Sequence, residues 1–193
     1  MTLENNYIIN QHMMYMVGFL DRNGKPCTIV KEVNKMFIVD KSPLEILEYS
    51  IKCIGFNLKG AMETSKWILG DIHMCPLMVN PILKICVFPI QSAQRYDTMW
   101  FNPYHIKRTT SFNRKTNVEF NNGIVIKVNS QLSSFNNKLQ IADQYRKMTV
   151  NAGENPISFV LEPKNRRVLL SHLLVLKFLP AIIENLLILT KTI

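Results

Sequence analysis

A chain of 193 residues with 47% hydrophobic and 19% charged residues has the composition of a globular protein, which excludes disordered and fibrous classes. The formal net charge is +9, from 23 Lys+Arg against 14 Asp+Glu. Four scattered cysteines (Cys27, Cys53, Cys75, Cys86) argue against a secreted disulfide scaffold and for apolar fillers in a reducing compartment.

The opening MTLENNY has no basic region followed by an apolar run, so no secretory signal is read and a cytoplasmic protein is expected. The apolar run Met13 to Leu20 ends at the turn Asp21-Arg22-Asn23-Gly24. Cys27 to Lys31 and Met36 to Val39 are β-branched or aromatic strand candidates. A helix follows, with Ser42 as cap, Pro43 in its first position and Glu45 three residues after the cap. Its apolar stripe is Leu44, Leu47, Ile51 and Ile54, and Gly55 stops it. Between Gly55 and Gly70 no pattern stands out.

Leu77 to Val79 and Ile85 to Phe88 read as short buried strands, each closed by proline. Tyr104 to Phe112 and Val118 to Phe120 are strand-like, and Asn121-Asn122-Gly123 is a hairpin turn leading into Ile124 to Val128. Leu132, Phe135, Leu139, Ala142 and Tyr145 lie at helical spacing, which predicts a helix over about Ser134 to Met148. Ile157 to Leu161 is a candidate last strand. From Val168 to Ile193 the chain is rich in Leu and Ile but is interrupted by Lys177, Pro180 and Glu184. Those interruptions disfavour a membrane span and favour a helix packed on the core or on another subunit.

No phosphate-binding glycine loop, dinucleotide fingerprint or nucleophile elbow is present. His73, Cys75 and Cys86 lack the second close pair that a structural zinc site usually shows, so buried packing is the reading for Cys86. His12 and His172 are expected as core or boundary residues. With no acid–base pair in view, no catalytic residue, metal ligand or cofactor is assigned.

Charge is unevenly spread. Arg95 to Thr149 carries 9 basic residues against 3 acidic ones, while Met1 to Gln94 is nearly balanced. A basic stripe on β-ribbon is a footprint for a polyanion, although on charge alone a solvated face is the stronger reading. The asparagines among these charges, Asn113, Asn117, Asn121 and Asn122, suit turn chemistry before they suit base reading.

The residues then become recognisable as a series. Pro76-Leu77-Met78-Val79-Asn80-Pro81 and Phe88-Pro89 are followed by Ser92, Arg95, Trp100 and His105, then by Val118, Phe120, Asn122-Gly123 and Ser134-Phe135. Upstream, Pro43-Leu44, Ser50, Lys52, Gly55 and Gly60 keep the same register, and downstream stands Phe159-Val160-Leu161-Glu162-Pro163-Lys164. This ordered series, from about Lys41 to Lys164, resembles the ComK family of competence transcription factors.

The resemblance implies a DNA-binding transcriptional activator of competence genes, nucleoid-associated in a Gram-positive cytoplasm. It implies a multimer that binds paired A/T-rich boxes of double-stranded DNA from the minor-groove side, with RNA polymerase a further candidate partner. The Phe-x-Leu-x-Pro-Lys segment implies contact of Phe159, Leu161, Pro163 and Lys164 with an adaptor of a Clp-type protease. The DNA-binding candidates are Arg95, His105, Lys107, Arg108, Arg114, Lys115 and Lys127. The family carries an aromatic where Leu58 stands and basic residues where Ala61 and Met62 stand, which suggests a weakened phosphate contact. Its ending is polar and mixed in charge, unlike the apolar ending here after Arg167. The alternative is therefore a non-activating or defective DNA-binding paralogue whose apolar tail associates with a membrane or a partner.

The expected architecture is α+β, a single domain with an antiparallel sheet, helices over Ser42–Ile54 and Ser134–Met148 packed on it, and a helical C-terminal tail. The expected division is a DNA-binding domain over 1–167 and a tail over 168–193. The apolar tail, with Leu173, Leu176, Leu186 and Leu187, is expected to share in homo-oligomer contacts.

Overall fold

Neighbouring residues of the central strands point to opposite faces, and in this chain both faces are apolar. Val87 and Trp100 join one buried cluster, while their neighbours Phe88 and Phe101 join another. A sheet of this kind must be covered on both sides. The computed structural model, which describes residues 2–70 and 72–154, shows how that is done.

The large sheet has seven strands. They are β1 (Leu3–Glu4), β2 (Met13–Leu20), β3 (Pro26–Glu32), β4 (Met36–Val39), β5 (Leu77–Asn80), β6 (Ile85–Pro89) and β7 (Met99–Phe101), in the order β1-β4-β3-β2-β7-β6-β5. A second, three-stranded sheet is formed by β8 (Ile106–Phe112), β9 (Lys115–Phe120) and β10 (Val125–Val128) in the order β10-β9-β8. Helices α1 (Pro43–Lys52) and α2 (Leu58–Leu69) cover one face of the large sheet through Ile46, Leu47 and Ile51, with Leu58, Ala61 and Met62 partly buried beside them. Helix α3 (Leu132–Glu154) and the small sheet share the other face through Phe135, Ala142, Val118 and Phe120.

The expected α+β class is therefore present, and the structure refines it. There are two sheets where one was expected, and the edge pair β1–β4 is parallel while the other pairs are antiparallel. Helix α2 fills the stretch that showed no pattern; Asn57 caps it, its side-chain oxygen accepting from the Gly60 amide at 2.6 Å. His12 is exposed, not part of the core. Ala61 and Met62 are partly buried against the cluster of Ile46, Leu47 and Ile51. The tail, the boundary at 167 and 168, His172, the candidate strand Ile157 to Leu161 and the adaptor segment lie outside the described residues.

Close approach, not turn geometry, demands glycine at position 18. A Cβ there would sit 1.7 Å from the Tyr96 carbonyl oxygen in the loop between β6 and β7. Cys86 is fully buried, with its thiol toward the Ala142 carbonyl, and burial pushes its pKa far up, so it packs and does not react at neutral pH.

Helix α1 starts with a reciprocal cap. The Glu45 amide donates to Ser42 Oγ at 3.3 Å, and the Ser42 amide donates to Glu45 Oε2 at 2.7 Å. Replacing Ser42 by Ala should cost about 1 kcal/mol in chemical denaturation. The Ser42 hydroxyl and amide also hold the Glu45 carboxyl below its ordinary range. A depressed folded-state pKa gives stability that is present above the unfolded value and lost as pH falls through the folded one. Glu45→Gln should accordingly flatten the acid limb of the stability profile, below about pH 4.5. An unchanged limb would rule the cap out as its source.

Candidate nucleic-acid interface

In the small sheet one face is buried and the other is not. Thr116, Val118 and Phe120 of β9 point inward with Val128, and the residues between them, Lys115, Asn117 and Glu119, point outward. Directly paired residues share a face. Register therefore sets Phe112 beside Lys115, Thr110 and Lys127 on either side of Asn117, and Arg108 beside Glu119. The outward face is exposed on β8 and β10, while Asn117 and Glu119 of β9 between them are partly covered.

Strict alternation would put Lys107 and Arg108 on opposite faces. A bulge prevents this. Ile106 pairs with Phe120 and Arg108 with Glu119, so two residues of β8 oppose one of β9. Both cations turn to the outward face and meet on one carboxylate. Lys107 Nζ lies 3.0 Å from Glu119 Oε1, and Arg108 Nε and Nη2 lie 3.0 and 2.6 Å from Oε2. These two donors hold the Glu119 carboxyl below the ordinary range.

The β8–β9 hairpin ends in a two-residue turn, Asn113-Arg114, with φ of 48° and 60°. Two successive positive φ values are the signature of the turn whose twist suits a two-residue hairpin. Asparagine adopts this conformation readily, whereas arginine pays about 1 kcal/mol or more for it. The result is a guanidinium at the outermost point of the ribbon. Lys127 sits over the exposed Phe112 ring, 4.5 Å from its centroid, next to this tip. Among the described residues neither Arg114 nor Lys115 makes an ion pair. From Ile106 to Val128 the sequence holds five cations and one acid, Glu119.

Five of the seven DNA-binding candidates thus come together: Lys107, Arg108, Lys115 and Lys127 on the face and Arg114 at its tip. The other two do not join them. Arg95 lies on the loop between β6 and β7, its Nε and Nη2 held by Asp97 at 2.9 and 2.8 Å. His105 is buried beneath the sheet, with Nε2 2.7 Å from the Gln11 carbonyl oxygen. A ring that is buried and bonded to backbone fixes the start of β8 and offers nothing to a phosphate, so His105 leaves the candidate set. The asparagines divide similarly. Asn121 and Asn122 bond to the Tyr104 and Val33 carbonyls and Asn113 makes the turn, while Asn117 stands on the outward face. Phe112 is the member of the face that charge and spacing alone did not single out; an aromatic among basic residues on a strand was the available signal.

Both sheets are anchored on α3. Phe135 packs edge-on to Phe88 and Phe101, with centroids 5.8 and 5.4 Å away, and Thr109 Oγ1 donates to Asn136 Oδ1 at 2.7 Å. Lys138 Nζ donates to the Ile90 carbonyl, and burial lowers its pKa. The basic face is thus held by packing and does not hang on a mobile loop. No helix among the described residues is long and apolar enough to cross a membrane.

A three-layered α+β domain with a basic, three-stranded face is the class of molecule defined so far. The chain belongs to the ComK family, whose profile, described as ComK protein, matches residues 4–153. It is similar to the competence transcription factor of Bacillus subtilis (strain 168), 29% identical over 119 residues, which is 61% of this chain and 62% of that relative. The match thus spans less than two thirds of the relative's length. No solved structure matches the chain.

Proposed function

We propose that this protein is a DNA-binding transcriptional regulator of competence genes, and that the outward face of β8–β9–β10 is where it meets double-stranded DNA. The observation that carries the reading is the gathering of five cations on one solvent face of a sheet whose other face is buried. That face is positively charged and backed by a packed core, which suits a polyanion with regularly spaced phosphates. The ribbon tip bearing Arg114 has the charge to enter a narrow, electronegative A/T minor groove. Asn117, at the centre of the face, has the chemistry to read acceptors on the groove floor.

The relative's designation as a competence transcription factor supports the same reading. A multimer on paired A/T boxes, an adaptor contact through Phe159, Leu161, Pro163 and Lys164, contact with RNA polymerase, and a nucleoid-associated location in the cytoplasm complete the proposal. So does the division into a DNA-binding domain over 1–167 and a tail over 168–193. The test is a gel-shift titration on paired A/T boxes and on a G·C-rich duplex of equal length at several salt concentrations. Preference for the A/T boxes is expected, with log K against log[salt] sloping about −3 to −5 for roughly three to six neutralised phosphates. Equal affinity for both duplexes would reject specific binding.

A further inference from the structure

One element of the basic face works against the rest. The bulge at Lys107 turns two neighbouring cations to the same side, and their side chains converge on the carboxylate of the cross-strand residue Glu119. Both cations remain accessible, with side-chain exposures of 60% and 68%, while Glu119 is largely covered at 17%. A carboxylate in this position occupies the donors that a phosphate would use: two nitrogens of Arg108 on Oε2 and the Lys107 ammonium on Oε1.

We infer that Glu119 is an internal counter-anion, which binds Lys107 and Arg108 in the free protein and competes there with DNA phosphate. This rests on the DNA-binding reading of the face. Two effects follow. The carboxylate keeps the two long side chains extended on the sheet, which lowers the entropy lost on binding. It also repels any phosphate that approaches without displacing it, which weakens most the complexes that rest on phosphate contacts at Lys107 and Arg108 alone. A duplex that also fits the tip of the ribbon gains contacts that offset the displacement; one that does not fit gains nothing. Glu119 thus raises the ratio of specific to non-specific binding at the expense of affinity.

The decisive variant is Glu119→Gln, which keeps the shape and removes the charge. At 0.1 M salt it should bind A/T-rich and G·C-rich duplexes about threefold to tenfold more tightly than wild type, with the larger gain on the G·C-rich duplex. Its salt slope should be steeper by about one unit, because one further phosphate is neutralised. Glu119→Asp, which keeps the charge, should stay close to wild type. Asp97→Asn makes the same change in net charge beside Arg95, away from the face, and should leave affinity and slope as they were. Unchanged or weaker binding by Glu119→Gln, or an equal gain from Asp97→Asn, would overturn the inference.

Heparin chromatography separates this inference from the DNA reading. If the wild-type chain binds no duplex, the DNA reading fails, and heparin alone judges the counter-anion: later elution of Glu119→Gln upholds it, and unchanged elution ends it. Should that variant misfold, the wild-type chain decides. The Glu119 carboxyl carbon resonance must move when a saturating polyanion is added, and a stationary resonance rejects displacement.

Discussion

Phe101→Ala should lose about 3–5 kcal/mol of stability in urea denaturation, the range for a fully buried phenylalanine whose cavity only partly collapses. The ring is where three layers meet. It lies 5.8 Å from Phe88 in the large sheet, 6.3 Å from Phe120 in the small sheet and 5.4 Å from Phe135 in α3, with Tyr15 at 6.0 Å. All but Tyr15 are fully buried. Removing the ring therefore takes contacts from both sheets and the helix together, and no single neighbour can move in without leaving another. The small sheet should loosen first, because its inner face is held by Phe120 and Val118 over this cluster. Faster amide exchange in β9 and β10 than in β2 and β3 would show that order. The comparison is Phe112→Ala on the outward face, which should shift stability by no more than about 0.5 kcal/mol. A loss below about 1 kcal/mol for Phe101→Ala would show that the layers are held elsewhere.

Much of this arrangement was legible in the sequence, for identifiable reasons. Strand β4 and helix α1 carried strong local signals, a β-branched run between turns and a capping box with proline after the cap. The stripe of α3 was correct at Phe135, Ala142 and Tyr145, all of which are buried. Helix α2 escaped because Gly60, Thr64 and Ser65 dilute its helical propensity and Ser65 is its one buried residue. Strands β1 and β7, of two and three residues, are too short to show a period. They exist because β4 and β2 offer them an edge.

The site was legible as a set of charges but not as a surface. Nothing in Lys107-Arg108 announces the bulge that turns both side chains one way. Nothing local brings Lys127 over Phe112, since that contact needs the register of three strands. The turn at Asn113-Arg114 was hidden because its second position holds arginine where glycine is usual. His105 illustrates the converse. Its place beside a basic pair read as part of a binding surface, yet the bulge that exposes Lys107 and Arg108 follows a residue that is itself buried.

Arg114→Ala with Lys115→Ala should weaken binding to paired A/T boxes more than any other double substitution on the face. These two cations have no carboxylate beside them among the described residues, so each offers its full charge to phosphate. Each lost contact flattens the salt slope by about 0.9, hence by nearly two units for the pair. Over a tenfold range of salt that amounts to about 60-fold, so binding at 0.1 M should fall on that scale, on G·C-rich duplex as well. Lys107→Ala with Arg108→Ala should flatten the slope by only about one unit, because Glu119 already neutralises one charge of that pair. Arg95→Ala removes a guanidinium that Asp97 occupies on the loop between β6 and β7, and should change neither slope nor affinity appreciably. His105→Ala should lower stability through the lost bond to Gln11 while leaving the slope of the folded fraction intact. This ranking separates a defined face from diffuse positive charge. If every basic residue of the chain contributed alike, the Arg114 and Lys115 pair would match any other pair, and Arg95→Ala would cost half as much. Equal effects across these variants would therefore remove the outward face of the small sheet as the DNA-contacting surface.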